Sequence, residues 1–317
     1  MSEQRTVGDE NGSEIADRSH IGTEKRNPRT RDLHTLSVRE CVDLINQEDR
    51  EVHHAMKRAA KAISRFIEAV EPGFTAGGRL IYVGAGTSGR LGVLDASEAP
   101  PTFQVEPGRI VGIIAGGDSS LRKSSEGKED EPRGAWSELE ALNLTSQDAV
   151  LAIAAGGTTP YALGALEFCK QDSRSPGQRP LTGLLVCTQM DQPAAADHMI
   201  VLKTGPEVLT GSTRMKAGTA TKLTLNQIST TLMVRSGRVY ENLMVDVRAT
   251  NAKLRDRAAR IVATLTGLSR EECFDLLERA GGAVKTAVVM QRNEIGRDEA
   301  NSLLDQSGGR LDQTLAR

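Results

Sequence analysis

Two groups of side chains in this sequence could bind or transform a ligand: glycines interleaved with hydroxyls, and a few placed carboxylates. Gly84–Ala85–Gly86–Thr87–Ser88–Gly89–Arg90 follows directly on the apolar run Arg79–Val83. A glycine loop between strand and helix lets the backbone approach an anion, with amides and a helix N-terminus facing it. The stretch fits G-x-G-x-x-G, which alone is a weak dinucleotide signal. Thr87, Ser88 and Arg90 suit the terminal oxygens of a phosphomonoester better. Asp118, the acid after the second apolar run, lies well beyond the roughly 20-residue offset of a ribose-binding acid. The alternative is a tight turn whose glycines serve packing only. A second small loop, Ala155–Gly156–Gly157–Thr158–Thr159–Pro160, ends the third apolar run. Two such loops at carboxyl ends of parallel strands could close on one ligand. Gly86, Thr87, Ser88, Gly89, Gly157, Thr158 and Thr159 are the candidate contacts.

Glu98 sits before Pro100–Pro101. Proline disfavours helix at the residue before it, so a helix starting near Ser88 is expected to stop there. Glu98 would then lie in the last turn, where the negative helix end favours the protonated carboxyl, as a general acid needs. An exposed C-terminal glutamate of no importance is the other reading. Glu126, Glu129, Asp130 and Glu131 form an acidic run, and spacing alone cannot single out one of them. Ser212, Arg214 and Lys216 open a long helical stretch and could neutralise a phosphate or carboxylate, or serve ordinary ion pairing. Glu207 could touch sugar hydroxyls or fix the turn at Gly205–Pro206.

These residues need a scaffold of strands and helices. Five short apolar runs, 79–83, 110–115, 149–154, 181–187 and 199–202, read as buried parallel strands with room for crossover helices between most of them. The expected fold is α/β: a three-layer, doubly wound, parallel five-stranded sheet. Two helical runs precede it, one with Val38, Cys41, Val42, Leu44 and Ile45, the next with Ala55, Ala59, Ile63, Phe66 and Ile67. A threonine-rich helix is expected from Ser212 to Val234, its composition suiting a packed interface. From 246 to 317, short amphipathic helices broken at Gly267, Gly281–Gly282 and Gly308–Gly309 read as a small helical module. Residues 1–30 are polar and are expected to be disordered or loosely attached; residues 31–245 form the main domain.

The chain has 317 residues with 40 basic and 42 acidic side chains, so no global field draws it to nucleic acid or anionic membrane. Aromatics at 3% argue against platforms for stacking bases. No apolar run reaches the roughly 20 residues of a membrane helix, and the N-terminus lacks the apolar core of a secretory signal. Four scattered cysteines read as reduced thiols in a cytoplasmic protein, and five histidines form no cluster, so neither a disulfide frame nor a metal site is expected.

The stretch Gly78–Gly92, with Asp95–Ala96–Ser97–Glu98 and Pro100–Pro101–Thr102, resembles N-acetylmuramic acid 6-phosphate etherases. Gly205–Ala220 is similar to a signature these enzymes share with the glucokinase regulatory protein, and Asn242–Val247 also fits. The resemblance covers about residues 30 to 317. It implies a sugar isomerase (SIS) domain that binds phosphosugars, a homodimer, and cleavage of a lactyl ether without redox cofactor or metal. It implies two catalytic glutamates: Glu98, as the acid for the departing lactate, and Glu129, from Glu126–Gly127–Lys128–Glu129–Asp130, as the base. The family's usual Ala-Ser-Gly-Arg-Thr-Pro is here Ala155–Pro160 with Gly156 and Thr158, so a serine hydroxyl and an arginine charge are missing from a loop expected to hold phosphate. Ala99 replaces a common cysteine, a neutral packing change. The rival expectations are a non-catalytic phosphosugar sensor, an aldose–ketose phosphosugar isomerase and, more remotely, a nicotinamide-dependent dehydrogenase.

Overall fold

The computed structural model describes residues 17–171, 173, 175–247 and 252–316. Its centre is one sheet of five parallel strands: β1 (Leu80–Gly84), β2 (Ile110–Ile114), β3 (Ala149–Ile153), β4 (Leu181–Val186) and β5 (His198–Val201). These match the five apolar runs to within a residue at each end, because strands covered on both faces need unbroken apolar side chains. Every residue of β1 and β3 is buried. The strand order is β2-β1-β3-β4-β5. The winding therefore reverses between β1 and β3, and a crevice opens at their carboxyl ends.

Helices α1 (Val38–Thr75), α2 (Gly86–Phe103) and α5 (Lys216–Arg235) cover one face, where Phe66, Phe74, Phe103, Leu225 and Ile228 pack on Tyr82, Leu151 and Leu185. Helices α3 (Trp136–Ala141) and α4 (Pro160–Cys169) cover the other, with Leu139, Ala165 and Phe168 against Ile81, Val83 and Val150. The expected three-layer α/β fold is the observed one. A hairpin of β6 (Val239–Tyr240) and β7 (Leu243–Met244) leads to α6 (Ala252–Thr266), α7 (Arg270–Arg279), α8 (Val284–Asn293), α9 (Arg297–Gln306) and α10 (Leu311–Leu315). These helices have their own core, with Val262, Leu276, Val288 and Leu304. Gly267, Gly281, Gly282, Gly308 and Gly309 all take positive φ between them. No helix among the described residues is long and apolar enough to cross a membrane.

Three expectations need correction. The two N-terminal helical runs are a single helix, α1, opened by a capping box between Ser37 and Glu40. The apolar pattern breaks midway because Glu48 occupies the buried face, held there by cations. Helix α2 does not stop before Pro100 but runs through both prolines to Phe103, and Gln104, in the left-handed region, closes it. Ala99 and Phe103 are buried one turn apart, and their packing carries the helix past the proline penalty. Third, residues 17–30 are not loose. Ile21, Thr23, Asn27 and Thr30 are buried, and the Thr30 hydroxyl donates to the Val208 carbonyl at 2.8 Å. Residues 1–16 lie outside the described residues.

Candidate active site

Both glycine loops stand at the crevice. In the first, Ala85 is extended and α2 begins at Gly86, whose φ of +51° suits glycine. Close packing needs the next two glycines: a Cβ on Gly89 would lie 2.5 Å from the Gly84 carbonyl oxygen, and one on Gly92 2.9 Å from the Tyr82 Cβ. The amides at the start of α2 have no partner within the helix, so an anion is favoured there. In the second loop, Gly157 has φ +76°, Thr158 is exposed, and Pro160 starts α4 with Thr159 as an extended cap.

Glu129 joins the two loops. Its Oε1 lies 2.9 Å from where a Cβ on Gly86 would stand, so a side chain at 86 would displace the carboxylate. Its backbone carbonyl accepts the Tyr161 amide at 3.0 Å, at the start of α4. The acidic run could not select Glu129 by spacing; the fold places it against the first turn of α2.

The other catalytic candidate lies elsewhere in the chain. Glu98 is exposed on α2, twelve residues after Gly86, which is about 18 Å along a helix axis. Nor does it lie in a last turn, since α2 continues to Phe103. Asp95, one turn before Glu98, is the structural member of that motif. It accepts the Tyr82 hydroxyl at 3.0 Å and the Ser229 hydroxyl at 3.1 Å, tying α2 to β1 and α5. Burial raises its pKa, and the Glu98 charge adds to the rise, against those hydrogen bonds.

The first turn of α5 approaches that of α2: a Cβ on Gly218 would lie 3.4 Å from the Thr87 methyl. Ser212 is half-buried and Arg214 exposed, with no ion-pair partner for Arg214 among the described residues. Lys216 is different. It is fully buried, and its Nζ donates to Glu48 at 2.7 Å. The ligand role expected for Lys216 gives way to a structural one, because that ammonium has no route to a ligand. Glu48 also accepts hydrogen bonds from Arg29 and from Asn27 at 2.7 Å. Burial alone would raise the Glu48 pKa, but Arg29, Lys216 and Asn27 outweigh it and bring it down to about 2. Glu207, likewise buried, caps α5 by accepting the Lys216 and Ala217 amides at 3.0 and 2.9 Å. Burial raises its pKa, opposed by those two amides.

Outside this crevice, a cavity of ≈ 500 Å³ is lined by Arg238, Asp246, Lys285 and Thr286. Three of its charges pair with one another, Lys285 with Asp246 at 2.8 Å and Arg238 with Asp246 at 3.3 Å. Among the described residues no group of three His, Cys, Asp or Glu is arranged to hold a metal ion.

Residues 58–170 match the family model of the glucokinase regulatory protein N-terminal SIS domain, and 241–295 match the C-terminal lid domain of that protein. The N-acetylmuramic acid 6-phosphate etherase of Geobacillus thermodenitrificans is 46% identical over 296 residues, 93% of this chain and 99% of that protein. The etherase of Pectobacterium atrosepticum is 47% identical, over 93% and 97%. This chain belongs to the N-acetylmuramic acid 6-phosphate etherase family. A phosphoheptose isomerase from Neisseria gonorrhoeae is 14% identical, with a TM-score of 0.44 over 62% of this chain and 98% of that one. The segment 21–30 and the buried Glu48 carry no local motif; the signal in the sequence is an acid where α1 should be apolar.

Proposed function

We propose that this chain cleaves the lactyl ether of N-acetylmuramic acid 6-phosphate, giving N-acetylglucosamine 6-phosphate and D-lactate, as a carbon–oxygen lyase of the cytoplasm. The observation that carries this reading beyond family membership is Glu129, a carboxylate held at a helix N-terminus between two glycine loops at the switch point. In the open-chain sugar the aldehyde acidifies the adjacent C–H bond. Glu129, beside the first turn of α2, is the base that takes that proton. Lactate leaves from the next carbon, its oxygen protonated by Glu98, and water adds to the unsaturated aldehyde. Gly86–Gly89, Gly157–Thr159, Ser212 and Arg214 hold the phosphate and orient the chain of the sugar.

The separation of Glu98 from Glu129 along α2 supports a homodimer in which each site combines Glu129 of one copy with Glu98 of the other. Mixing two inactive variants tests this. Glu98→Gln and Glu129→Gln should each lose at least about 100-fold in D-lactate release, the usual loss for an acid or base. After unfolding and refolding together they should recover about a quarter of wild-type turnover, because half the dimers are mixed and carry one intact site in two. Two dead variants with no recovery would keep the glutamates and refute the shared site. A wild type that binds the substrate yet releases no lactate would favour the phosphosugar-sensing reading that the regulatory-protein domain match allows.

A further inference from the structure

The segment Ile21–Glu24 runs past the loops that follow β3, β4 and β5. The Gly22 amide donates to the Thr188 hydroxyl at 3.0 Å, beyond β4. Glu24 Oε2 stands 3.2 Å from where a Cβ on Gly211 would be, beside the loop that carries Ser212 and Arg214. Between them, Thr23 is completely buried, and its hydroxyl has no hydrogen-bond partner among the described residues. Buried hydroxyls are nearly always paired, so an unpaired one calls for a cause.

Gly156 supplies it. A Cβ placed on Gly156 would meet Ile21 Cγ2 and Thr158 Oγ1 at 3.9 Å and Thr23 Oγ1 at 4.0 Å, all ordinary contacts. The loop after β3 thus has room for a side chain at this position and carries none. The Thr23 hydroxyl borders that room from the N-terminal segment.

We propose that Thr23 is a substrate-binding residue: its hydroxyl donates to the phosphate of a sugar phosphate seated over Gly156–Gly157, doing what a side-chain hydroxyl on the loop itself would do. The ligand reaches the Thr23 hydroxyl through the room beside Gly156, which Ile21 and Thr158 also border. The proposal rests on the phosphosugar reading of the site and adds the N-terminal segment to it.

Steady-state kinetics with N-acetylmuramic acid 6-phosphate, together with thermal midpoints, on Thr23→Val, Thr23→Ser, Gly156→Ser and the double variant Thr23→Val/Gly156→Ser test it. Thr23→Val should raise KM about tenfold with kcat near wild type, the loss of one hydrogen bond to a charged group. Thr23→Ser should keep the wild-type KM. The double variant should recover it, because the added hydroxyl occupies the room beside Gly156. An unchanged KM in Thr23→Val, with or without a lower thermal midpoint, overturns the proposal. So does a raised KM that Gly156→Ser leaves unrecovered, which would mark a general loss of docking. If the wild type releases no lactate, the etherase reading fails separately. Calorimetric titration with N-acetylglucosamine 6-phosphate then reads the same variants, and weaker binding by Thr23→Val alone still supports Thr23.

Discussion

Lys216 and Arg214 stand two positions apart, yet their surroundings give them opposite duties. Lys216 faces inward to Glu48, with both side chains almost inaccessible, and Arg214 faces solvent at the crevice. Removing Lys216 takes one of the two cations from the buried Glu48 and leaves it only the half-exposed Arg29 and Asn27, so Lys216→Met should cost about 3 kcal/mol of stability. Glu48→Gln introduced alongside it should return part of that loss, because the strandedness of the charge is what costs. Urea unfolding of the single and double variants checks this. Arg214→Ala should leave the unfolding midpoint where it is and raise KM for the phosphosugar, a contrast that separates ligand contact from folding. Charge and proximity to the hydroxyls of 212–213 were legible in the sequence. Which cation points inward was not, because helix phase and the acid that meets it, 168 positions away, are properties of packing.

At the scale of elements, the strand–loop–helix unit from β1 to α2 was readable almost residue by residue, since its glycines follow from close backbone approach. The end of α2 was not readable. Local rules end a helix before paired prolines, whereas burial of Ala99 and Phe103 keeps this one going. A similar override joins the two N-terminal runs into α1 across Glu48. Gly86→Ala tests how tightly the β1–α2 loop sets the chemistry. The left-handed φ should cost about 1 kcal/mol, a modest change by denaturant melt. Displacing the Glu129 carboxylate should lower kcat far more, about 100-fold, as misplacements near 1 Å do. Loss of stability without loss of turnover would mean that Glu129 tolerates displacement and does not act from this position.

Across the whole molecule, three of the carboxylates that fasten elements have lowered pKa values, whereas burial raises those of Asp95 and Glu207. Glu48 is held down at about 2 by Arg29, Lys216 and Asn27 against its burial. Asp148 is lowered, despite burial, by Arg79 and the Thr145 amide, and Asp197, despite burial, by Lys170 and Thr182. A carboxylate lower in the folded than in the unfolded chain binds fewer protons when folded, so its contribution is complete above the ordinary carboxylate range and lost on acidification. The thermal midpoint should be flat near neutral pH and fall steeply from about pH 4.5 toward pH 2. Glu48→Gln should flatten the lower part of that fall. An equally steep fall in the variant would remove Glu48 from the account.

The α/β class, the five strands, both glycine loops and the family follow from short-range patterns in the chain: apolar runs, backbone clearance and contiguous motifs. The C-terminal helices between their glycine breaks do too. That Glu129, rather than its acidic neighbours, meets the first turn of α2 is a product of long-range packing. Likewise, the fold alone carried α2 past Glu98 to Phe103, turned Lys216 into a core ion pair and packed residues 21–30 against the loops that follow the strands. Those outcomes depend on groups far apart in the chain meeting in a low-dielectric interior, where an unpaired charge or hydroxyl costs more than any local preference supplies.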